Sequence, residues 1–212
     1  AIWSCCSQDF GVSSVVDRFA QIEPVLFIAA DGYYYNGKTH TRLEEIDAVR
    51  KSLQSIRDTL LINYTGAIRN EVQPGITIYD TLLEGGNELP VFEAVPFDHP
   101  LWILYSSGTT GAPKAITHSH GGCLLEHLKY LAFHNEVHPG ERFFWYTTTG
   151  WMMWNFLHGS MMLGATIVLY DGSPGYPDID RLWAFSAEKD IQHFGTSAPY
   201  LVACMKEGIY PG

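Results

Sequence analysis

Basic residues are scarce in this chain, which has 13 lysines and arginines against 23 aspartates and glutamates. The formal net charge is therefore −10 at pH 7. Proteins that bind nucleic acids or anionic membranes in general do so through an excess of basic charge. The composition argues against both classes of protein and leaves room for a local anion-binding site.

Cysteine is scarce as well. The four cysteines show no metal-binding or redox spacing, and neighbours such as Cys5 and Cys6 rarely bridge each other. Reduced thiols in a cytoplasmic protein are the simplest interpretation, and the first residues show no signal-peptide pattern. Ala1 lies inside an ongoing pattern and Gly212 directly follows a helical one, so we expect a longer parent polypeptide.

A complete set of metal ligands is also missing. The nine histidines include the close pairs His118 with His120 and His134 with His138. No cysteine or carboxylate pair completes either set at a recognisable distance, so we expect no structural zinc site.

Asp, Glu, Lys and Arg are absent from residues 143–170, a stretch long enough to span a bilayer. The pattern changes midway, however. Residues 151–163 have helical spacing, Gly164 is typical of a helix stop, and residues 165–170 resemble a strand. A buried helix and strand of an α/β protein explain the stretch better than a membrane span.

Helical and strand patterns alternate along the 212 residues. This alternation predicts an α/β fold with mostly parallel sheets flanked by helices. A turn-rich segment contains Asn36-Gly37, which predicts a tight hairpin turn, and Thr41 with Glu44 predicts a capping box. Helices are predicted at 13–22, 41–57, 122–133, 151–163, 179–188 and 199–206, and strands at 25–29, 60–62, 101–104, 115–118, 143–146, 165–170 and 192–195.

Residues 84–100 form a connector rich in glycine, proline and acidic side chains. They are the best candidate for an internal boundary. We therefore expect two subdomains, at 1–98 and 99–212.

The most informative stretch is residues 105–114, which follows an apolar run. Its glycines allow backbone N–H groups to approach a phosphate, its hydroxyls add donors and its lysine adds a compact positive charge. The candidate phosphate ligands are Ser106, Ser107, Gly108, Thr109, Thr110, Gly111 and Lys114. The spacing is not that of a Walker A loop, and a strand rather than a helix is predicted to follow, so the loop itself would hold the phosphate. An ordinary polar turn is the alternative.

Residues 106–114 resemble the signature loop of the adenylate-forming superfamily, which includes acyl-CoA synthetases, peptide-synthetase adenylation domains and luciferases. The matching pattern is two Ser or Thr, Gly, two Ser or Thr, Gly, any residue, Pro and Lys. The resemblance implies part of a large N-terminal α/β domain that uses ATP with Mg²⁺. It also implies that the adenine-binding segment and the catalytic lysine lie outside these residues, so no catalytic residue is assigned here.

Residues 146–155 are similar to a second core motif of the acetoacetyl-CoA synthetase group of that superfamily. The similarity implies an acyl pocket in which an asparagine donates a hydrogen bond to a β-keto oxygen. The implied pocket residues are Trp151, Met152, Met153, Trp154 and Asn155. The alternative is that these side chains only pack the core.

Two further positions correspond to CoA-contacting segments of acetyl-CoA synthetases. Lys38 is the one charge kept from a basic segment that meets the CoA phosphates, and Gly175 replaces an asparagine in a contacting loop. Met153 likewise replaces a threonine implicated in CoA contact. The resemblance as a whole implies an ATP-dependent acid–CoA ligase for acetoacetate, with CoA as co-substrate. Other short acids, and a non-catalytic nucleotide- or acyl-binding module, remain alternatives.

Overall fold

The computed structural model describes residues 1–68, 73–83, 89–106 and 111–210. Helices and strands alternate through these ranges. The helices are α1 (Val12–Phe19), α2 (Leu43–Ser52), α3 (Tyr79–Leu82), α4 (His120–Phe133), α5 (Met152–Gly159), α6 (Arg181–Glu188) and α7 (Ala198–Lys206). The strands are β1 (Trp3–Ser4), β2 (Leu26–Ala30), β3 (Gly32–Tyr35), β4 (Lys38–Thr41), β5 (Asp58–Ile62), β6 (Ile76–Ile78), β7 (Pro100–Ser106), β8 (Lys114–Ser119), β9 (Arg142–Trp145), β10 (Thr166–Val168) and β11 (His193–Gly195).

Parallel pairing dominates the sheets of the described residues. The orders β2-β5-β6 and β10-β9-β11 are parallel throughout. A third sheet, β1-β7-β8, has one parallel and one antiparallel pair, and β3 with β4 forms an antiparallel hairpin. The predicted α/β class with mostly parallel sheets and flanking helices is therefore confirmed.

Strand β9 is the buried centre of the second half of the chain. Phe143 and Phe144 point to opposite faces and each is only 1% exposed. One face packs against Leu131 of α4 and Leu157 of α5, and the other against Leu182 of α6 with further residues of α7. A strand covered on both sides needs a continuous apolar run, which explains why three aromatic residues follow the exposed Arg142 in this strand.

The uncharged stretch after β9 forms a helix and a strand, as predicted. The α-helix ends at Gly159 rather than at 163, and a 3-10 helix continues over Ser160–Leu163. Gly164 then stops it in the left-handed region at φ 79°. Within the described ranges, no helix is long and apolar enough to cross a membrane.

The predicted start and end of α2 are wrong. Thr41 pairs with Gly32 in the β3–β4 hairpin, so its backbone belongs to a strand and forms no capping box. Arg42 holds the cap position without a capping side-chain bond. The helix ends at Ser52, because Leu53 turns to extended backbone and packs into a core cluster.

The predicted connector falls partly outside the described residues, at 84–88. Residues 89–99 form neither helix nor strand, and Leu89, Val91 and Phe92 are exposed. Strand β1 pairs with β7, so residues from both sides of position 98 share one sheet.

Candidate functional site

The candidate phosphate loop lies at the end of an antiparallel hairpin. Ser106, the last residue of β7, pairs with Lys114, the first residue of β8. The connection between them begins with Ser107, Gly108, Thr109 and Thr110, which lie outside the described residues. Gly111 and Lys114 are exposed at its other end. The structure thus brings the two ends of the predicted loop together.

A strand follows the loop, as predicted, and the next helix along the chain, α4, begins at the far end of that strand. At the N-terminus of α4, the N–H of His120 donates to the carbonyl of His99 and that of Gly121 to the carbonyl of Phe97, both at 2.9 Å. The Ser119 hydroxyl caps the N–H of Gly122. Because these donors are engaged, the N-terminus of α4 offers little to an anion.

Two further segments meet beside the hairpin, at the carboxyl ends of β1 and β9. The hydroxyl of Thr149 donates to the carbonyl of Cys6 at 3.3 Å. A Cβ added to Gly150 would lie 2.6 Å from the backbone nitrogen of Ser7, so this approach requires glycine. Burial, and next the Cys5 thiol, raise the pKa of Cys6 to about 12, so Cys6 stays protonated at neutral pH and is a poor nucleophile.

The five predicted acyl-pocket residues do not face one cavity. Trp151 and Met152 are 61% and 51% exposed, where α5 begins. Met153 and Trp154 pack against the core cluster of β9, and Asn155 is only 5% exposed. Successive helical positions differ by about 100°, so five consecutive side chains cannot point the same way.

Asn155 lies on the side of α5 that faces α4. Together with Trp102, His127 and His158 it lines a cavity of about 630 Å³. Its side-chain oxygen is buried and has no hydrogen-bond partner among the described residues, and the indole N–H of Trp102 shares that condition. Burial lowers the pKa of His127, which keeps this imidazole neutral at pH 7.

The two candidate CoA positions are brought together. Gly37, next to Lys38 in the β3–β4 turn, is so close to Tyr176 that an added Cβ would lie 2.4 Å from the phenol oxygen. Tyr176 directly follows Gly175. Asn36 and Gly37 adopt φ values of 48° and 70°, which confirms the predicted tight turn.

Tyrosines surround this junction. The hydroxyl of Tyr64 donates to the carboxylate of Asp171, and its ring lies edge-on to Tyr34 with 5.5 Å between centroids. The hydroxyl of Tyr146 donates to the carbonyl of Gly172 at 3.0 Å. Phenol hydroxyls are thus among the polar groups of this surface.

A buried carboxylate organises the segment that carries Tyr64. Asp31 is 0% exposed and accepts backbone hydrogen bonds from Tyr64 at 2.9 Å and from Thr65 and Ala67 at 2.8 Å. Burial raises the pKa of the Asp31 carboxyl, but the bonds from Thr65, Ala67 and Tyr64 outweigh it and the pKa lies below its usual value. The only sequence sign of this role is an aspartate directly after an apolar strand.

The part of the chain that the structure describes contains no cluster of possible metal ligands. No group of three or more His, Cys, Asp or Glu side chains there could hold a metal ion. His120 instead packs its ring against His99, with 5.4 Å between centroids.

Comparisons with known proteins agree on one family. The AMP-binding enzyme family matches residues 1–210. The acetoacetyl-coenzyme A synthetase of Rhizobium meliloti (strain 1021) is 50% identical over 215 residues, which cover 100% of this chain and 33% of that protein. The malonamoyl-CoA synthetase vrtB of Penicillium aethiopicum is 38% identical over 218 residues, which cover 94% of this chain and 30% of that protein.

A solved structure, the acetoacetyl-CoA synthetase from Streptomyces lividans, matches with a TM-score of 0.92 and 51% identity. The match covers 100% of this chain and 32% of that one. The chain thus spans about a third of the length of the curated relatives that it matches.

Proposed function

This chain belongs to the AMP-binding enzyme family, and we propose that it is part of an ATP-dependent acid–CoA ligase that acts on acetoacetate. The observation that carries the proposal is the 50% identity, over the whole chain, to a protein named acetoacetyl-coenzyme A synthetase. The relative named for malonamoyl-CoA is also similar. Acetoacetate and malonamate both carry a carbonyl on the β-carbon, which supports an acid of that shape.

The proposed reaction has two halves. A carboxylate oxygen of the acid attacks the α-phosphorus of ATP, pyrophosphate leaves and an acyl-adenylate forms. The sulfur of CoA then attacks the acyl carbon, its proton is lost, and AMP leaves with the bonding electron pair. The first half requires positioning and charge stabilisation more than covalent help from the protein.

The hairpin of β7 and β8 performs that positioning. Backbone N–H groups and hydroxyls of residues 106–111 hold the β- and γ-phosphates, and Lys114 places its charge against the departing pyrophosphate. Mg²⁺ is proposed to accompany the phosphates of ATP. The described residues provide no carboxylate cluster for a resident ion, so no step is assigned to the metal.

The acyl pocket is proposed around the start of α5. Trp151 and Met152 offer exposed apolar surface to the incoming acid, while Met153 and Trp154 anchor that surface to the core. Asn155 remains the proposed hydrogen-bond donor to the β-keto oxygen. Its carboxamide is buried beside a cavity, and the donor would be its side-chain N–H group.

CoA is proposed to cross the surface formed by the β3–β4 turn and the loop 171–177. Replacing Lys38 by alanine is expected to raise the KM for CoA about threefold, the modest effect of losing one exposed charge. Acid-dependent ATP–pyrophosphate exchange without CoA is expected to stay unchanged. Lys51→Ala, on the exposed side of α2, serves as the matched control, and an equal KM in both variants would remove Lys38 from the site.

The division at residues 98 and 99 stays a proposal, supported by the irregular segment 89–99. A cytoplasmic location is also proposed, because all four cysteines are free in the structure.

The function is tested by measuring AMP release from the full-length protein with ATP, Mg²⁺ and CoA across five acids: acetate, propionate, butyrate, acetoacetate and 3-hydroxybutyrate. We expect acetoacetate to be preferred by about tenfold or more, since a polar contact to the keto oxygen adds to the shape of the pocket. Preference for another acid would keep the ligase class and discard the pocket. No acid-dependent release would favour a non-catalytic nucleotide- or acyl-binding module.

A further inference from the structure

The last turn of α1 contacts the strand that enters the phosphate loop. The hydroxyl of Tyr105, next to the end of β7, donates to the carbonyl of Arg18 at 3.0 Å. The Arg18 guanidinium lies over the rings of Phe10 and Tyr105, at 4.7 and 6.0 Å from their centroids. These contacts fix the strand directly before the loop.

The same end of α1 contacts the strand that leaves the loop. The side-chain nitrogen of Gln21 donates to the carbonyl of Pro113 at 2.8 Å, and its side-chain oxygen accepts from the N–H of Ala115 at 3.3 Å. These two backbone groups flank Lys114. A further bond from the Gln21 side chain to the carbonyl of Asp17, at 2.8 Å, sets the orientation of the carboxamide.

The Gln21 side chain therefore makes hydrogen bonds to the backbone on both sides of Lys114, as a neighbouring strand would. We propose that Gln21 is a positioning residue that holds Lys114 and the exit of the loop in place for the phosphates of ATP. The proposal rests on the function proposed above and adds a residue to its machinery. Since Gln21 and Ala115 are 94 positions apart, no local pattern in the sequence indicates this pairing.

Loss of the Gln21 side chain is expected to affect ATP use more than it affects the stability of the fold. Gln21 is exposed, and each of its bonds contributes only about 0.5–1.5 kcal/mol to stability. A variant therefore folds. A charge-assisted contact between Lys114 and phosphate oxygens, in contrast, depends on a short distance, so a partly released loop weakens ATP binding more than it affects folding.

The test is acid-dependent ATP–pyrophosphate exchange by the full-length protein. Gln21→Ala is expected to raise the KM for ATP about tenfold, because Lys114 then contacts the phosphates less well, while the KM for the acid stays within about twofold. Gln21→Glu keeps the shape and the acceptor for Ala115 but cannot donate to Pro113, so it is expected to raise the KM for ATP at least as much. The control is Gln54→Ala, at an exposed glutamine whose side chain, among the described residues, bonds only the nearby Lys51 carbonyl.

Amide hydrogen exchange at Ala115 measures the contact independently of activity. Faster exchange at Ala115 in Gln21→Ala, together with the selective rise in KM, supports the proposal. An unchanged KM for ATP, a normal Gln21→Glu variant, or an equal rise in both KM values overturns it. If the wild-type protein shows no ATP–pyrophosphate exchange with any acid, the proposed function fails. Unchanged amide protection of Ala115 in Gln21→Ala would then reject the contact as well. Faster amide hydrogen exchange at Ala115 would then leave Gln21 a structural role alone.

Discussion

Replacing Lys114 by alanine is expected to lower acid-dependent ATP–pyrophosphate exchange by about 10²-fold or more, the cost typical of removing a preorganised group that stabilises developing charge. Lys114 begins β8 opposite Ser106 and is exposed, so its removal leaves the hairpin intact. The lost charge is the one proposed to face the departing pyrophosphate. Exchange is measured with labelled pyrophosphate in the absence of CoA.

Two controls sharpen this result. Lys129→Ala removes a half-exposed lysine that pairs with Glu126 on α4, and it is expected to leave the rate unchanged. Lys114→Arg keeps the charge but replaces a compact ammonium by a planar group, so partial activity is expected. A Lys114→Ala protein that exchanges at the wild-type rate would remove this residue from the phosphate site.

Replacing Asp31 by alanine is expected to lower the free energy of local opening of residues 64–67 by about 3–5 kcal/mol. Three backbone N–H groups lose the fully buried carboxylate that accepts their hydrogen bonds. A bond to a charged acceptor contributes about 1.5–3 kcal/mol, and water at the exposed Tyr64 recovers part of the loss. Asp31→Asn is expected to lose less stability than Asp31→Ala. The asparagine keeps one acceptor oxygen but places an NH₂ group where the second carboxylate oxygen accepts a hydrogen bond. Native-state amide exchange at Tyr64, Thr65 and Ala67 measures the loss.

The contribution of Asp31 depends on pH in a defined direction. Its folded pKa lies below the usual value, so the stabilisation is fully present above the unfolded pKa of about 3.9 and is lost as pH falls through the folded pKa. Asp80→Ala, an exposed change in the first turn of α3, is expected to cost less than about 1 kcal/mol. A loss below about 1 kcal/mol in Asp31→Ala would contradict the structural role.

Local patterns in the sequence predict much of the fold. The apolar run of β9, the stop at Gly164 and the Asn36-Gly37 turn each depend on neighbouring residues, and all three are present in the structure. Strand β1 escapes prediction because it is two residues long and exists only through its pairing with β7. Strand β6 is similarly short and is defined by β5.

In the candidate site, too, features set by neighbouring residues are predictable from the sequence, and features set by distant contacts are not. The loop composition and the strand after it are readable from consecutive residues, and the structure confirms that strand. Asn155 shows the limit, because its motif does not reveal that it faces α4 while Trp151 lies exposed. Asp31 and Gln21 act through contacts across 33 and more positions, and only a fold brings such pairs together.

The full-length protein is proposed to activate an acid through an adenylate. A quenched single-turnover reaction with ATP, Mg²⁺ and acetoacetate, but no CoA, tests it by mass spectrometry of the products. We expect acetoacetyl-adenylate together with pyrophosphate, and conversion of the adenylate to acetoacetyl-CoA and AMP once CoA is added. Formation of ADP and phosphate, or acetoacetyl-CoA without any adenylate, would contradict it.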